Sequence, residues 1–400
     1  MRTSLFFMAL AVVAFPILSI ADDYEPKNCT AAVAYRGPAV HSPIAATAFP
    51  SADATLDGKL DPALSAKLDG IADWILKNTK APALTAAVGI PGQGTWSVTR
   101  GQQTSDPPTP LGERPYFHWA SVGKTFTSTV IHQLVLEQKL DYSDPLAKWY
   151  PDFPNAAAIT IDHLLTHTNG IFSFNADLVF QRQRGYKSPE QCLAIAVKHG
   201  CAFCPGEYWA YSNTGYVLLG RIIEKIEGRP LHEVFTARII RPLGLKQTVA
   251  LAPRQELTGL APGHVDGKRD PNFEPTTPYA AGIVASTADD MLHFWQALLT
   301  GRLTSPASVQ ESFARLYPMF EPSLFYGRGV MLVEVPTMPQ KSSWLAHAGG
   351  TPGLKSILAY DVDSRLFVAV ALNGNASAEA TANKLLQQVK SFQAAGSPAR

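Results

Sequence analysis

A serine and a lysine at short spacing could carry nucleophilic chemistry. Ser121 and Lys124 stand three positions apart where the pattern predicts the start of a helix, so their side chains share one face. A lysine amine there can take the proton of the hydroxyl, and the positive end of the helix would stabilise the charge that develops. Ser-x-x-Lys alone occurs by chance about once in a chain of this size, so it also fits an ordinary serine and a solvated lysine.

A second candidate group is Tyr211 and Asn213, two residues apart in a loop before another predicted helix. A phenol can carry a proton if a neighbouring ammonium such as Lys124 stabilises the phenolate, and a carboxamide can hold a substrate carbonyl. The purely structural interpretation is a core tyrosine and a helix-capping asparagine.

A third candidate group runs from His347 through Ala348 and Gly349 to Gly350, at the end of a predicted strand. The two positions without side chains would let a substrate backbone come close. A simple β-turn is the structural alternative.

These groups must be positioned by a framework of strands at both chain ends with helices between them. Apolar residues recur at helical spacing from Pro62, and two strands follow at 84–90 and 94–98, joined by a turn at Pro91-Gly92. The middle of the chain has helical stripes, and the end has further strands and a closing helix, located at 344–347, 354–360, 366–372 and 378–392. The prediction is an α/β (α+β) fold, with one antiparallel sheet built from both ends, flanked by helices, and a mostly helical domain inserted into it.

The composition excludes several function classes. The chain has 400 residues, 46% hydrophobic and 17% charged, which is typical of a globular protein large enough for one large or two interleaved units. A formal net charge of +1 provides no field to attract nucleic acid or anionic lipid. We expect a small-molecule or peptide substrate and no nucleic-acid partner; the sequence does not specify the oligomeric state.

The first residues predict export. Arg2 precedes an apolar run from Leu5, and the run ends in small residues at Ser19 and Ala21, so residues 1–21 are predicted to be a removed signal peptide. A membrane anchor is the alternative, but Pro16 interrupts the run and its length is short for a span. We expect no stable anchor after cleavage and a secreted or periplasmic location.

Four cysteines fit an oxidising compartment, with one or two disulfides whose pairing the sequence leaves open. They are Cys29, Cys192, Cys201 and Cys204. Residues 22–58 are rich in alanine and proline without a sustained period, which predicts an extended linker or a wrap around the surface.

Taken in order, the three groups resemble the motifs of the penicillin-recognising serine hydrolases, in particular the branch with class C β-lactamases, D-alanyl-D-alanine carboxypeptidases and β-lactamase-like esterases. Four supporting segments agree with this family, at residues 163–170, 205–206, 241–245 and 281–287. The resemblance implies one β-lactamase-like hydrolase domain over 59–393. Its sheet parts would be about 59–120 and 280–393, and its helical part about 121–279.

The resemblance also implies a mechanism. Ser121 would attack a carbonyl carbon to form an acyl-enzyme, while Lys124 and Tyr211 share the transfer of its proton to the leaving group. The backbone N–H groups of Ser121 and Gly350 would form the oxyanion hole. Neither a cofactor nor a metal is expected: His163 and His167 stand four apart but lack the glutamate of an H-E-x-x-H motif.

Asn213, His347 and Gly349 would bind the substrate. His347 departs from the β-lactamase pattern, where a lysine usually meets the substrate carboxylate, and resembles the carboxypeptidase branch instead. An imidazole attracts a carboxylate less firmly at neutral pH. The expected function is therefore a secreted serine hydrolase, carboxypeptidase-like or esterase-like, acting on an ester or amide; a β-lactamase, an acyltransferase of the same fold and a non-catalytic binding protein are the alternatives.

Overall fold

The computed structural model describes residues 24–335 and 342–396, and the predicted signal peptide at 1–21 lies outside them. Fourteen strands are present in these residues. In chain order they are β1 Ala83–Ile90, β2 Gly94–Ser105, β3 Pro108–Pro110, β4 Phe117–His118, β5 Thr248–Ala250, β6 His264–Val265, β7 Lys268–Arg269, β8 Val284–Ser286, β9 Tyr317–Pro318, β10 Leu324–Tyr326, β11 Met331–Val335, β12 Ser342–Thr351, β13 Leu354–Asp361 and β14 Leu366–Leu372.

Nine of these strands form one sheet in the order β3-β2-β1-β14-β13-β12-β11-β10-β9. Every neighbouring pair in it is antiparallel, and the two chain ends meet where β1 pairs with β14. The predicted antiparallel sheet built from both ends of the chain is therefore confirmed. A smaller sheet, β4-β8-β5, lies where the chain enters and leaves its helical part, and β6 pairs with β7.

Helices cover both faces of the large sheet. The described α-helices are α1 Pro62–Asn78, α2 Lys124–Leu136, α3 Ile161–Leu165, α4 Leu178–Arg182, α5 Pro189–His199, α6 Asn213–Glu227, α7 Leu231–Phe235, α8 Arg241–Leu243, α9 Ala288–Leu299, α10 Pro306–Ser312 and α11 Ala378–Gly396. α1 and α11 pack on one face, and α9 with the helical part of the chain packs on the other. In the described residues, no helix combines the length and the apolar character needed to cross a membrane.

The central strands are apolar on both sides because both faces are covered. In β14, Val368 and Val370 belong to the core under α1 and α11, whereas Phe367, Ala369 and Ala371 belong to the core on the other face. Side chains alternate along a strand, so a continuous apolar run supplies two cores at once.

The predicted helix after Pro62 is confirmed, and its start follows from local signals. Asp61 caps the helix by accepting hydrogen bonds from the N–H groups of Ala63 and Leu64, at 2.8 and 3.0 Å, and Pro62 occupies the first helical position. The helix buries Leu64, Leu68 and other residues of the predicted stripe against the sheet.

The strand predicted at 94–98 extends further, to Ser105. Its second half is polar and lies near the sheet edge, where β3 pairs with it across a register shift between Gln102 and Thr104. The apolar alternation that predicted the strand stops where burial stops, so the pattern ended too early.

The described part of the N-terminal segment, from residue 24, runs along the rest of the molecule and is bonded to it. Its backbone N–H groups at Lys27, Val33 and Arg36 donate to the carbonyls of Cys201, Pro205 and Glu207, at 2.8, 2.9 and 2.8 Å. A disulfide joins Cys29 to Cys204, while Cys192 and Cys201 are buried free thiols. These hydrogen bonds and the disulfide attach residues 24–58 to the loop that leads to Tyr211.

Candidate active site

Ser121 lies in a single 3₁₀ turn, Ala120–Gly123, between β4 and α2. The chain enters this turn through Ala120, whose φ of 46° lies in the left-handed region that few non-glycine residues adopt. The preceding Trp119 N–H donates to the Val284 carbonyl at 2.9 Å and fixes the entry. Ser121 thus lies in a strained turn directly before a helix, and the residue is partly exposed to solvent.

Lys124 begins α2 and brings its amine to the serine. Its Nζ lies 3.2 Å from Ser121 Oγ, 2.7 Å from Asn213 Oδ1 and 3.1 Å from the Ala281 carbonyl oxygen. The predicted meeting of Ser121 and Lys124 on one face is present in the structure.

Burial favours the neutral amine form of Lys124. Its side chain is 0% exposed, and burial lowers its pKa well below the usual 10.5. Its hydrogen-bond partners are neutral oxygens, so no carboxylate among them offsets the cost of a buried charge. A neutral amine has two hydrogens and one lone pair; the two carbonyl oxygens can only accept, so they take the hydrogens. The lone pair then faces the Ser121 hydroxyl, which can donate.

Tyr211 is the third reactive side chain at Ser121 and Lys124. Its hydroxyl faces Ser121, and its ring centroid lies 4.9 Å from Lys124 Nζ. Burial raises the pKa of Tyr211 well above its usual 10, and the contact with Ser121 opposes this shift. The phenol is therefore protonated at neutral pH and can donate to Ser121 Oγ. This differs from the phenolate considered above, because the neighbouring lysine is neutral too.

Asn213, the first residue of α6, is oriented by its neighbours. Its Oδ1 accepts from Lys124, its Nδ2 donates to Asn175 Oδ1 at 2.8 Å, and its backbone N–H donates to Ser173 Oγ at 2.9 Å. Ser173 Oγ also contacts Asn175 Oδ1, at 2.7 Å. Ser212, not Asn213, caps the helix. Since Nδ2 has two hydrogens, Asn213 retains one for a ligand.

Both ring nitrogens of His347 form hydrogen bonds inside the protein. The ring is 0% exposed; Nδ1 donates to the Ala348 carbonyl at 2.8 Å, so Nε2 accepts from the Tyr326 hydroxyl at 3.1 Å. Burial is the main cause that lowers the pKa of His347, to about 3. In this arrangement the ring is neutral and both nitrogens are engaged inside the protein, which differs from the geometry expected of a residue that meets a carboxylate.

Gly349 brings β12 directly against the nucleophile turn. A Cβ there would lie 2.4 Å from the Trp119 carbonyl oxygen and 3.0 Å from the Ser121 nitrogen, so only glycine fits. Ser356 on β13 secures the same contact, since its Oγ donates to the Trp119 carbonyl at 2.8 Å.

Gly350 presents its N–H on the edge of β12 away from β13. Ala348 N–H points to that edge, towards Met331 Sδ at 3.4 Å, and N–H groups two residues apart point the same way. β11 begins at Met331, which pairs with Ala346, so β12 extends beyond it at this point. The Gly350 N–H therefore points to the open end of the strand pair, and the neighbouring Gly349 lies against the Ser121 nitrogen.

Several residues of this site were not singled out from the sequence. They are Ser173, Asn175, Tyr216, Ala281 and Tyr326. The Tyr326 hydroxyl lies 3.2 Å from the Tyr216 hydroxyl, which donates to the Leu165 carbonyl at 2.9 Å. Ala281 lies in a segment that supported the family resemblance, and Tyr216 in a helical stripe, but the loop and short strand that hold the others have no periodic pattern.

The described residues contain no cluster of three or more histidine, cysteine, aspartate and glutamate side chains able to hold a metal ion. The two histidines at i and i+4 spacing serve other purposes. His163 Nδ1 accepts the Thr160 N–H in a capping box at the start of α3, while His167 faces Tyr211.

Buried neutral histidines make the fold sensitive to acid. Burial lowers the pKa of His118 to about 4 and those of His132 and His347 to about 3. Below about pH 6.5 the unfolded chain protonates these rings while the folded chain does not, so the unfolding free energy falls as pH drops. We expect a loss of about 1 kcal/mol per pH unit for each histidine between pH 6.5 and 5, measured by urea unfolding.

His132 tests this prediction apart from the active site, because it contacts Tyr142 and Ser312 and not Ser121. His132→Gln should reduce the pH slope by about one proton. Equal unfolding free energies at pH 7.5 and 5 would contradict the prediction.

An antiparallel sheet between helices, with the serine in a turn before a helix, is the fold of β-lactamase-like hydrolases, and comparison with solved structures agrees. The chain is 26% identical to the D-amino acid amidase from Ochrobactrum anthropi SV3, solved with L-phenylalanine amide, at a TM-score of 0.73 over 83% of this chain and 99% of that one. The family model described as Beta-lactamase matches residues 68–390, so the chain belongs to the Beta-lactamase family. The resemblance stated from the motifs is confirmed.

Curated relatives in this family have different activities. Penicillin-binding protein 4* of Bacillus subtilis (strain 168) is 30% identical over 278 residues, which are 64% of this chain and 60% of the relative. Esterase EstB of Burkholderia gladioli is 28% identical, over 52% of this chain and 56% of the relative. The chain thus spans only about 60% of the length of such relatives, and family membership defines a hydrolase fold without selecting the substrate.

Proposed function

We propose that the protein is a serine hydrolase that acts on an ester or an amide through an acyl-enzyme on Ser121. The observation that carries the proposal is the fully buried amine of Lys124, placed 3.2 Å from Ser121 Oγ with neutral oxygens as its partners. An amine kept neutral beside a hydroxyl is a general base for that hydroxyl.

In acylation, Ser121 Oγ forms a bond to the substrate carbonyl carbon while its proton moves to Lys124 Nζ. The bond to the leaving group then breaks, and the leaving oxygen or nitrogen takes a proton from the Tyr211 hydroxyl. The Lys124 ammonium restores that proton, which returns the amine to its neutral form. Lys124 is the base in this scheme because burial disfavours both a charged lysine and a tyrosinate.

The oxyanion formed in this step would be bound by the N–H groups of Ser121 and Gly350, which lie at the open end of β12. Such a donor typically contributes about 3 kcal/mol to the transition state. The free hydrogen of Asn213 Nδ2 would orient the substrate amide or ester carbonyl. Water then hydrolyses the acyl-enzyme with Lys124 again as the base.

The substrate proposed is an ester or amide that needs no carboxylate for recognition. A β-lactamase or carboxypeptidase substrate carries a carboxylate, and the residue expected to meet it, His347, is neutral with both nitrogens engaged. This favours an esterase-like or amidase-like activity over a carboxypeptidase-like one. The relatives named as an esterase and a D-amino acid amidase fit this class.

We also propose that the chain is exported to an oxidising compartment. The disulfide between Cys29 and Cys204 supports this, since structural disulfides persist there and are rare in the cytosol. The signal peptide proposed at 1–21 has the composition that export requires.

The test is mass spectrometry of the whole chain after separate incubation with a fluorophosphonate, a nitrophenyl ester and a penicillin. The fluorophosphonate should add one covalent mass, located on the peptide with Ser121, and Ser121→Ala should add none. The ester should be turned over much faster than the penicillin. Labelling elsewhere, or full hydrolytic activity in Ser121→Ala, would overturn the proposal, and faster reaction with penicillin would overturn its substrate class.

A further inference from the structure

His167 holds the backbone on both sides of Tyr211. Its carbonyl oxygen accepts the N–H of Ala210 at 3.0 Å, and its Nδ1 accepts the N–H of Ser212 at 3.2 Å. The two donors are the residues immediately before and after Tyr211. A residue distant in sequence therefore fixes the peptide units that carry the tyrosine.

The ring of His167 also supports the ring of Tyr211. Their centroids are 4.2 Å apart with an interplanar angle of 37°. His167 is 0% exposed and adopts a φ of 61°, a conformation that costs energy for any residue other than glycine and is tolerated better by asparagine. A strained, fully buried histidine next to a reactive group is the pattern expected where position matters.

The hydrogen bond from Ser212 fixes the tautomer of His167. Because Nδ1 accepts, Nε2 carries the hydrogen. Nε2 has no hydrogen-bond partner among the described atoms and is surrounded by rings, with the Tyr326 and Tyr216 centroids 4.5 and 5.2 Å from that of His167. Burial lowers the pKa of His167 well below its usual 6.5 and keeps the ring neutral. A neutral ring is required for Nδ1 to accept.

We propose that His167 is a positioning residue that keeps the Tyr211 hydroxyl on Ser121, with Nδ1 as the essential acceptor. The proposal rests on the proposed function, in which Tyr211 gives its proton to the leaving group. Loss of the acceptor frees the peptide unit at Ser212, and the hydroxyl loses its alignment. The rate should therefore fall for substrates whose leaving group must be protonated. Substrates whose leaving group needs no proton should react at nearly the same rate.

The experiment compares His167→Asn with His167→Leu. Asparagine can place an oxygen where Nδ1 lies and suits the positive φ, whereas leucine has a similar shape and no acceptor. The matched control is His163→Asn, which changes a histidine of the same segment that caps α3 instead. kcat/KM is measured for esters of one acid with alcohols of rising pKa, from nitrophenol to a simple alkyl alcohol.

For His167→Leu we expect a loss of less than about tenfold with the nitrophenyl ester but about 10²-fold or more with the alkyl ester, since general acid catalysis contributes this much. His167→Asn should recover most of that loss, and His163→Asn should resemble the unchanged protein. An equal loss for all leaving groups, or asparagine performing no better than leucine, would overturn the proposal.

Fluorophosphonate labelling of every variant distinguishes a failure of this proposal from a failure of the proposed function on which it rests. If the unchanged protein is not labelled at Ser121, the proposed function fails; if it is labelled but the leaving-group dependence is unaltered in the variants, only the role of His167 fails. Should His167→Leu not fold, His167→Gly gives the same comparison, because glycine accepts the positive φ and also lacks the ring acceptor.

Discussion

Replacing Lys124 by methionine is expected to lower kcat/KM for ester hydrolysis by about 10³-fold or more. Methionine matches the length of the lysine stem and suits a site that is 0% exposed, but it has no lone pair able to take a proton. The hydroxyl of Ser121 would then have to ionise without a base. Steady-state kinetics with a nitrophenyl ester measure the loss, and circular dichroism checks that the variant is folded.

The control is Lys384→Met, a lysine on the outer helix α11 whose amine lies over the Trp74 ring. It should keep the unchanged activity. A Lys124→Met variant within tenfold of the unchanged protein would show that another group removes the serine proton.

The same lysine predicts the pH profile. Since the base must be unprotonated, kcat/KM should rise with pH through the pKa of Lys124 and then level, and burial places this rise well below pH 10.5. The acid limb should be absent from the residual activity of Lys124→Met. A limb that persists would belong to a different group.

Replacing Gly349 by alanine is expected to lower kcat/KM by about 10²-fold or more, the effect of losing one oxyanion donor. The added methyl would lie 2.4 Å from the Trp119 carbonyl oxygen and 2.6 Å from Ser356 Oγ, so β12 must move away from the nucleophile turn. The distance between the N–H groups of Ser121 and Gly350 would then no longer suit one oxygen atom.

The control is Gly70→Ala, in the exposed part of α1, where nothing lies within 4 Å of the added methyl. It should keep the activity and gain up to about 1 kcal/mol of stability, because alanine is the better helix former. The measurement for Gly349→Ala is kcat/KM together with inhibition by a tetrahedral phosphonate. Unchanged affinity for that inhibitor would argue against a displaced oxyanion hole.

The sequence predicted the parts of the site that short motifs carry. Ser121 and Lys124 meet because a helical turn separates them, and Tyr211 and Asn213 are close because they lie at the start of another helix; such local geometry follows from spacing. The sheet was predictable because its central strands are long apolar runs. The contact between these motifs rested on the family resemblance, since nothing in their spacing brings residues so distant in sequence together.

The other features of the site depend on neighbouring residues that show no recognisable pattern in the sequence. The orientation of His347 is set by Tyr326 on β10, a strand of three residues and too short for an alternation to be recognised. The neutral state of Lys124 follows from burial, which a sequence motif does not report. His167 looked like an ordinary member of a structural segment, because its role comes from two backbone contacts more than forty positions along the chain.

The disulfide between Cys29 and Cys204 has a consequence for the covalent topology of the molecule. It closes a ring of chain in which the two ends are 175 residues apart in sequence, and both Ser121 and Lys124 lie inside this ring, whereas Tyr211 lies just outside it. A protease that cuts once in any loop between the two cysteines therefore opens the ring without separating the molecule. If the cut falls between Ser121 and Cys204, the disulfide becomes the covalent link between the fragment with the serine and the fragment with the tyrosine, and reduction then releases them from each other.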